Sequence, residues 1–141
     1  MVKSGVGALI LRVTLGVLFF IHGLVKFQDG IGNTVGWFES IGLPGFLAYG
    51  VAFIELIGGV ALIIGLGTRL VSALFVIIMV GAILKVKLSL GLLGNGAMAG
   101  YELDLAFLAL AIYLVINGSK LLSVDQLIFR RDSEDLAKAN Q

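Results

Sequence analysis

A small set of ionisable side chains sits inside or at the ends of long apolar runs. Arg12, His22 and Lys26 fall in the first run and Glu55 in the second. Lys85 and Lys87 close the third, and Glu102 and Asp104 open the fourth. A charge in hydrocarbon costs about 2.5–3.5 kcal/mol on insertion scales, so such residues ordinarily face a bundle interior or mark a pathway. On a helix turning about 100° per residue, Arg12, Gly16, Phe19, His22, Gly23 and Lys26 share one stripe. Arginine and lysine donate hydrogen bonds. His22 can relay a proton, since an unperturbed histidine changes charge near neutrality. Glu55 can hold the arginine or exchange protons with it. Tyr113 lies about 20° from Glu102 on the same face of the fourth run, Lys85 shares a face with Gly81 and Ile78, and Asp104 points nearly opposite Glu102, toward the wet interface.

Helix depth predicts which charges meet. At about 1.5 Å per residue, Arg12 lies about 10 Å and Glu55 about 16 Å from the same membrane face, so antiparallel packing predicts an Arg12–Glu55 pair. A polar column then continues through His22 to Lys26, Lys85 and Glu102. Each residue also has a structural reading. Arg12–Glu55 can be an ion pair that specifies which helices pack. Lys26, Lys85 and Glu102 are near helix ends and can snorkel to the interface. Asp104, Lys87 and Lys120 read as interfacial anchors. A lone His22 reads as a hydrogen-bonded interior residue rather than a metal ligand, and no metal site is expected.

The elements that position these residues follow from composition. Of the 141 residues, 59 % are apolar and 13 % charged, with a mean hydropathy of +1.08. A soluble domain averages about 45–50 % apolar and about 25 % charged, and a chain this short leaves much of its surface exposed. A soluble globular fold is excluded. The net charge of +1 argues against a nucleic-acid partner, which needs a basic surface. With no cysteine, the chain can hold no disulfide framework, thiol relay, iron–sulfur cluster or covalently attached haem.

Four apolar runs, at about residues 6–26, 45–66, 70–90 and 101–122, each reach the roughly 20 residues that a membrane-crossing helix needs. The expected fold is all-α: a polytopic membrane protein with four transmembrane helices in an antiparallel bundle over residues 1–122. A charged tail, residues 123–141, is amphipathic on the membrane surface or disordered. Arg12, His22 and Lys26 make the first run read as a retained helix rather than a cleaved signal. Lysine and arginine counts place both termini in the cytoplasm.

The connections add detail. Gly67, Thr68 and Arg69 join the second and third runs so tightly that these helices must be antiparallel neighbours. Residues 35–41 read as a short interfacial helix with Trp37 at headgroup depth. The glycine-rich residues 89–100 read as a mobile flap over the outer end of the bundle.

These residues, in this order and spacing, resemble the DoxX family of small bacterial and archaeal membrane proteins. The likeness spans about residues 11–125. It rests on Leu11 and Arg12 with Gly16 and Phe19, then on His22, Gly23 and Lys26, and on Gly42, Leu43 and Pro44. Glu55 with Gly58 and Gly59, Gly65 with Thr68 and Arg69, Gly100 to Glu102, and Ser123 to Asp125 complete it. Many members carry a histidine near the end of the third helix, where this chain has Lys85 and Lys87. The resemblance implies a four-helix membrane bundle tied to redox systems. Relatives include a subunit of a thiosulfate:quinone oxidoreductase and proteins linked to oxidative stress or to catechol and quinone detoxification.

The expected function is therefore a quinone-linked membrane oxidoreductase subunit, or a quinone- or quinol-binding protein, in a prokaryotic cell membrane. Arg12 or Lys26 would donate to a quinone carbonyl, His22 would donate and relay a proton, and Phe19, Phe53 and Phe107 would contact the ring. Lys85, Glu102 and Tyr113 complete the expected site. Expected partners are the lipid membrane and either a soluble redox protein or a second copy of the chain. The alternative is a small membrane carrier, or an assembly or scaffold partner, with no chemistry of its own.

Overall fold

The computed structural model describes residues 2–140. Met1 and Gln141, the outermost residues of the expected division into bundle and tail, lie outside the described residues. Six α-helices follow in order: α1 (Val2–Gln28), α2 (Ile31–Ser40), α3 (Phe46–Ile64), α4 (Thr68–Ala82), α5 (Glu102–Asn117) and α6 (Val124–Ala139). A π-helical turn (Ile83–Lys87) and a 3-10 turn (Leu88–Leu90) extend α4. The described residues hold no strand beyond one isolated bridge between Gly94 and Ala99. The fold is an all-α membrane protein.

Helices α1, α3, α4 and α5 form the bundle around Leu15, Phe19, Leu62, Phe75, Met79, Phe107, Ala111 and Leu114. Their outer faces expose Ile10, Ile57, Leu70, Ile77 and Ile116, each at least 59 % accessible. Such a surface suits lipid rather than water. Three helical stretches, Val2–Gln28, Phe46–Ile64 and Thr68–Leu90, are long and apolar enough to cross a membrane. The fourth bundle helix, α5, has 16 residues, about 24 Å at the α-helical rise. It stops earlier than the expected residue 122 because Gly118 turns the chain with φ 65°.

Helices α1 and α3 touch backbone to backbone. A Cβ on Gly59 would lie 2.6 Å from the Phe20 amide nitrogen, and one on Gly23 would lie 2.6 Å from that of Leu56. Only a residue without a side chain fits at either point. This contact sets α1 and α3 at a fixed register and brings Lys26 alongside Glu55.

The α3–α4 turn is as tight as the sequence predicts. Gly65, at φ 75°, ends α3, and the Leu66 amide donates back to the Ala61 carbonyl at 2.8 Å. This is the Schellman arrangement that glycine permits. Residues 89–100 are tied to the start of α5: Tyr101 N–H donates to Gly91 O and Glu102 N–H to Leu92 O. The Asn95 side chain also accepts from the Ala97 and Met98 amides.

Candidate functional site

The expected polar column divides in two. At the end of the bundle near the chain termini, Arg12 is buried with 1 % exposure. It does not pair with Glu55. Its Nη1 donates to the Ser119 carbonyl at 3.1 Å, to Ser119 Oγ at 3.2 Å and to the Leu121 carbonyl at 3.1 Å, and its Nη2 donates to the Leu122 carbonyl at 2.9 Å. The reason is the early end of α5. Residues 118–122 leave the helix and present carbonyls without helical donors, and these accept from the buried guanidinium in place of the Glu55 carboxylate.

The surrounding residues lock the same end. Asp125 accepts from the Gly67 amide at 2.9 Å and the Thr68 amide at 3.3 Å, capping the start of α4. The Asp125 amide donates to Gly65 O at 3.1 Å. Ser123 caps α6 by accepting from the Gln126 amide at 3.2 Å. A Cβ on Gly65 would lie 2.5 Å from that of Ser123 and 2.9 Å from Arg12 Nη1. Arg12, Gly65, Thr68, Ser123 and Asp125 thus form one structural joint.

Toward the opposite end, a cavity of about 510 Å³ opens among α1, α3, α4 and α5, with α2 beside it. Its size falls in the range of about 300–1,000 Å³ usual for small-molecule sites. Phe19 and Phe107 form its inner wall, with ring centroids 5.6 Å apart. Trp37, Phe38, Ile41 and Leu43, from α2 and the turn after it, close another side. Apolar walls are thus joined by a few convergent polar groups.

Those polar groups include two ion pairs and a histidine. Lys26 Nζ lies 2.6 Å from Glu55 Oε2, and Lys87 Nζ lies 2.7 Å from Asp104 Oδ2. His22 meets the Phe107 ring edge-on at 6.1 Å and lies within electrostatic reach of Lys26, Lys87 and Asp104. Its imidazole makes no hydrogen bond to the other described residues. Lys85 also lines the cavity.

Of the expected site residues, the cavity gathers Phe19, His22, Lys26, Glu55, Lys85 and Phe107. Arg12 belongs to the joint. Glu102 is exposed beside the 89–100 loop, and Tyr113 packs on the core away from the cavity. Phe53 is 48 % exposed and meets Phe27 in a tilted contact at 5.1 Å on the outer surface. Two residues read as interfacial anchors are drawn in instead: Lys87 and Asp104, the latter 9 % exposed. The π turn brings Lys87 into reach of Asp104 by widening the end of α4, a distortion often found at functional sites. Phe75, stacked on Phe19 at 3.8 Å and 11°, is a further aromatic that supports the inner wall. Its only advance signal is its place on the apolar stripe of α4. No three His, Cys, Asp or Glu side chains cluster among the described residues.

Fold and cavity together define a small helical membrane protein with a polar-lined apolar pocket. The chain belongs to the DoxX family, whose model matches residues 7–88. It is 46 % identical over 125 residues to the Bacillus subtilis protein named "Putative oxidoreductase CatD", covering 89 % of each chain. It is 33 % identical over 133 residues to the uncharacterized membrane protein Rv3486 of Mycobacterium tuberculosis, covering 86 % of this chain and 80 % of that one. The inner membrane protein YqjF of Escherichia coli is 37 % identical over 70 residues, half of this chain and 52 % of its own. No solved structure matches the chain.

Proposed function

We propose that this DoxX-family protein binds a quinone or quinol in the cavity between α1, α3, α4 and α5, as the membrane subunit of a redox system. The observation that carries the reading is the pairing of an aromatic wall with hydrogen-bond donors in one cavity of suitable volume. Phe19 and Phe107 offer faces and edges to a flat ring. Lys26, Lys85 and His22 offer donors to its oxygens. The name of the Bacillus subtilis relative supports the redox class.

A quinone supplies two-electron, two-proton redox chemistry. The residues hold its ring and manage the protons and charge. The Lys26 ammonium, held by Glu55, would present its remaining N–H groups to a carbonyl oxygen and favour negative charge there. His22, with its nitrogens unclaimed by the described residues, donates a hydrogen bond and passes a proton. Lys87 and Asp104 form a second such pair across the cavity. With no cysteine in the chain, electrons would come from a non-covalently held cofactor or from a partner redox protein.

The same reading makes α5 a fourth crossing and places the chain in a prokaryotic cell membrane with both termini cytoplasmic. Six of the Lys and Arg residues (Lys3, Arg69, Lys120, Arg130, Arg131 and Lys138) then lie on the cytoplasmic side, against Lys26, Lys85 and Lys87 on the other, as the positive-inside rule requires.

The test is His22→Phe in nanodiscs, with melting temperature and binding of a soluble quinone analogue measured in parallel. Phenylalanine keeps the ring volume and removes both nitrogens. The expected result is an unchanged melting temperature with binding at least about tenfold weaker, the scale of one lost hydrogen bond to a buried polar group. Wild-type binding in the variant, or no binding by the wild type, overturns the reading.

A further inference from the structure

At the terminal end of the bundle lies a second cavity, of about 910 Å³, bounded by the start of α4, the end of α5 and the inner face of α6. Its rim carries three cations, Arg69, Lys120 and Arg130, against one carboxylate, Asp125. Both Asp125 oxygens are engaged by the Gly67 and Thr68 amides, so the carboxylate is committed to capping α4. Arg69 is held in place from below: its Nε lies 3.1 Å from where a Cβ on Gly118 would stand, and its Nη2 reaches the Asn117 carbonyl at 3.5 Å. Arg130 meets only Glu134, in a pair that is exposed on both sides, and such surface pairs are weak and easily exchanged.

Two further features point to a ligand. Thr68 lines this cavity with 3 % exposure, and its Oγ1 has no hydrogen-bond partner among the described residues. Leu70 and Phe129, 69 % and 72 % exposed, flank the same opening. The cavity lies where α3 ends and α4 begins, at the boundary of the spanning segments. Cations around a largely apolar hollow at the membrane boundary match a phosphate group whose ester substituents run into the bilayer.

We propose that this cavity is a binding site for a phosphate group, held by Arg69, Lys120 and Arg130. Guanidinium groups recognise phosphate oxygens in a planar fork, and basic pockets at helix ends on the membrane boundary collect anionic headgroups. A phospholipid headgroup and free inorganic phosphate share this chemistry. The site is independent of the proposed quinone cavity at the other end of the bundle.

The experiment is a thermal melt of the purified full chain in neutral detergent, with three additions in parallel: phosphatidylglycerol, phosphatidylcholine and inorganic phosphate. Stabilisation by phosphatidylglycerol beyond phosphatidylcholine supports the site with a lipid as its occupant. Stabilisation by inorganic phosphate, matched by phosphatidylglycerol, supports it with the free anion sufficing. In Arg69→Gln, Lys120→Gln and Arg130→Gln, the midpoint of the titration should rise about fivefold for each cation removed. Arg69→Lys and Arg130→Lys keep the charge but lose the planar fork, and should raise the midpoint less than the glutamine variants do. Because the choline cation of phosphatidylcholine cancels its own phosphate charge, no wild-type preference for phosphatidylglycerol or inorganic phosphate over phosphatidylcholine overturns the proposal. So does an unchanged midpoint in the three glutamine variants.

Discussion

The two ends of the bundle treat buried charge differently. Arg12, at 1 % exposure, directs two guanidinium nitrogens at three carbonyls and a hydroxyl. Its neighbourhood is polar chemistry spent on joining α1, the α3–α4 turn and α6. In the other half, Lys26, Glu55, Lys87 and Asp104 pair across a hollow, and His22 faces the same space. Charge density alone therefore does not mark a site. A charge answered by the chain's own backbone builds the fold, and a charge answered beside a cavity is available to something else.

The sharpest way to break that contrast is at the joint. Arg12→Met strands four acceptors at once, each costing about 1–3 kcal/mol when left unsatisfied. A loss of more than about 3 kcal/mol is expected, seen as failure to accumulate or a collapse of the melting temperature. A melting temperature near wild type would mean that the linker finds other donors and that the joint does not depend on Arg12.

Gly65→Ala comes next. The left-handed backbone alone costs about 1–2 kcal/mol for a residue with a Cβ, and the collision with Ser123 adds to it. The melting temperature should fall clearly, with the variant still able to fold. Stability equal to wild type would show that the α3–α4 turn relaxes freely.

A double-mutant cycle sharpens the comparison further. Lys26→Met and Glu55→Gln share one ion pair, so their effects on stability should couple by about 0.5–3 kcal/mol. Arg12→Met and Glu55→Gln share no partner and should add to within about 0.5 kcal/mol. Coupling in the second cycle as large as in the first would restore a single polar column.

The smallest effects belong to the expected residues that lie outside both regions. Glu102→Gln and Phe53→Leu should each change stability by no more than about 0.5 kcal/mol and leave binding of a quinone analogue unaltered. A several-fold loss of binding in either would extend the site to the outer surface.

The sequence made the bundle legible because hydropathy and tight turns are local signals. Gly65, Gly67 and Thr68 announce the α3–α4 turn wherever the rest of the chain goes. The cavity half of the stripe on α1 was legible for the same reason: Phe19, His22 and Lys26 share a face by periodicity alone. Helix depth points Arg12 to Glu55 because it compares side chains only with side chains. The carbonyls of residues 118–122, which compete for it, become acceptors only after Gly118 ends α5 early. A regular helix would turn Lys87 and Asp104 to the interface. The π turn that unites them has no pattern in the residues Ile83–Lys87 that distinguishes it from an α-helix.

The backbone contact between α1 and α3 bears on how the molecule moves. Side chains that interdigitate can change rotamer and let helices slide, but Gly23 against Leu56 and Gly59 against Phe20 leave nothing to rearrange short of moving the main chain. These two helices therefore travel as one rigid bar. His22, Lys26 and Glu55 are all mounted on it, so their spacing survives any breathing of the cavity. Any change in cavity volume must therefore fall on the other walls: α2, and the side where Lys85, Lys87 and Asp104 ride on α5 and the π-distorted end of α4. One half of the donor set is fixed in its spacing, and the other is free to shift against it.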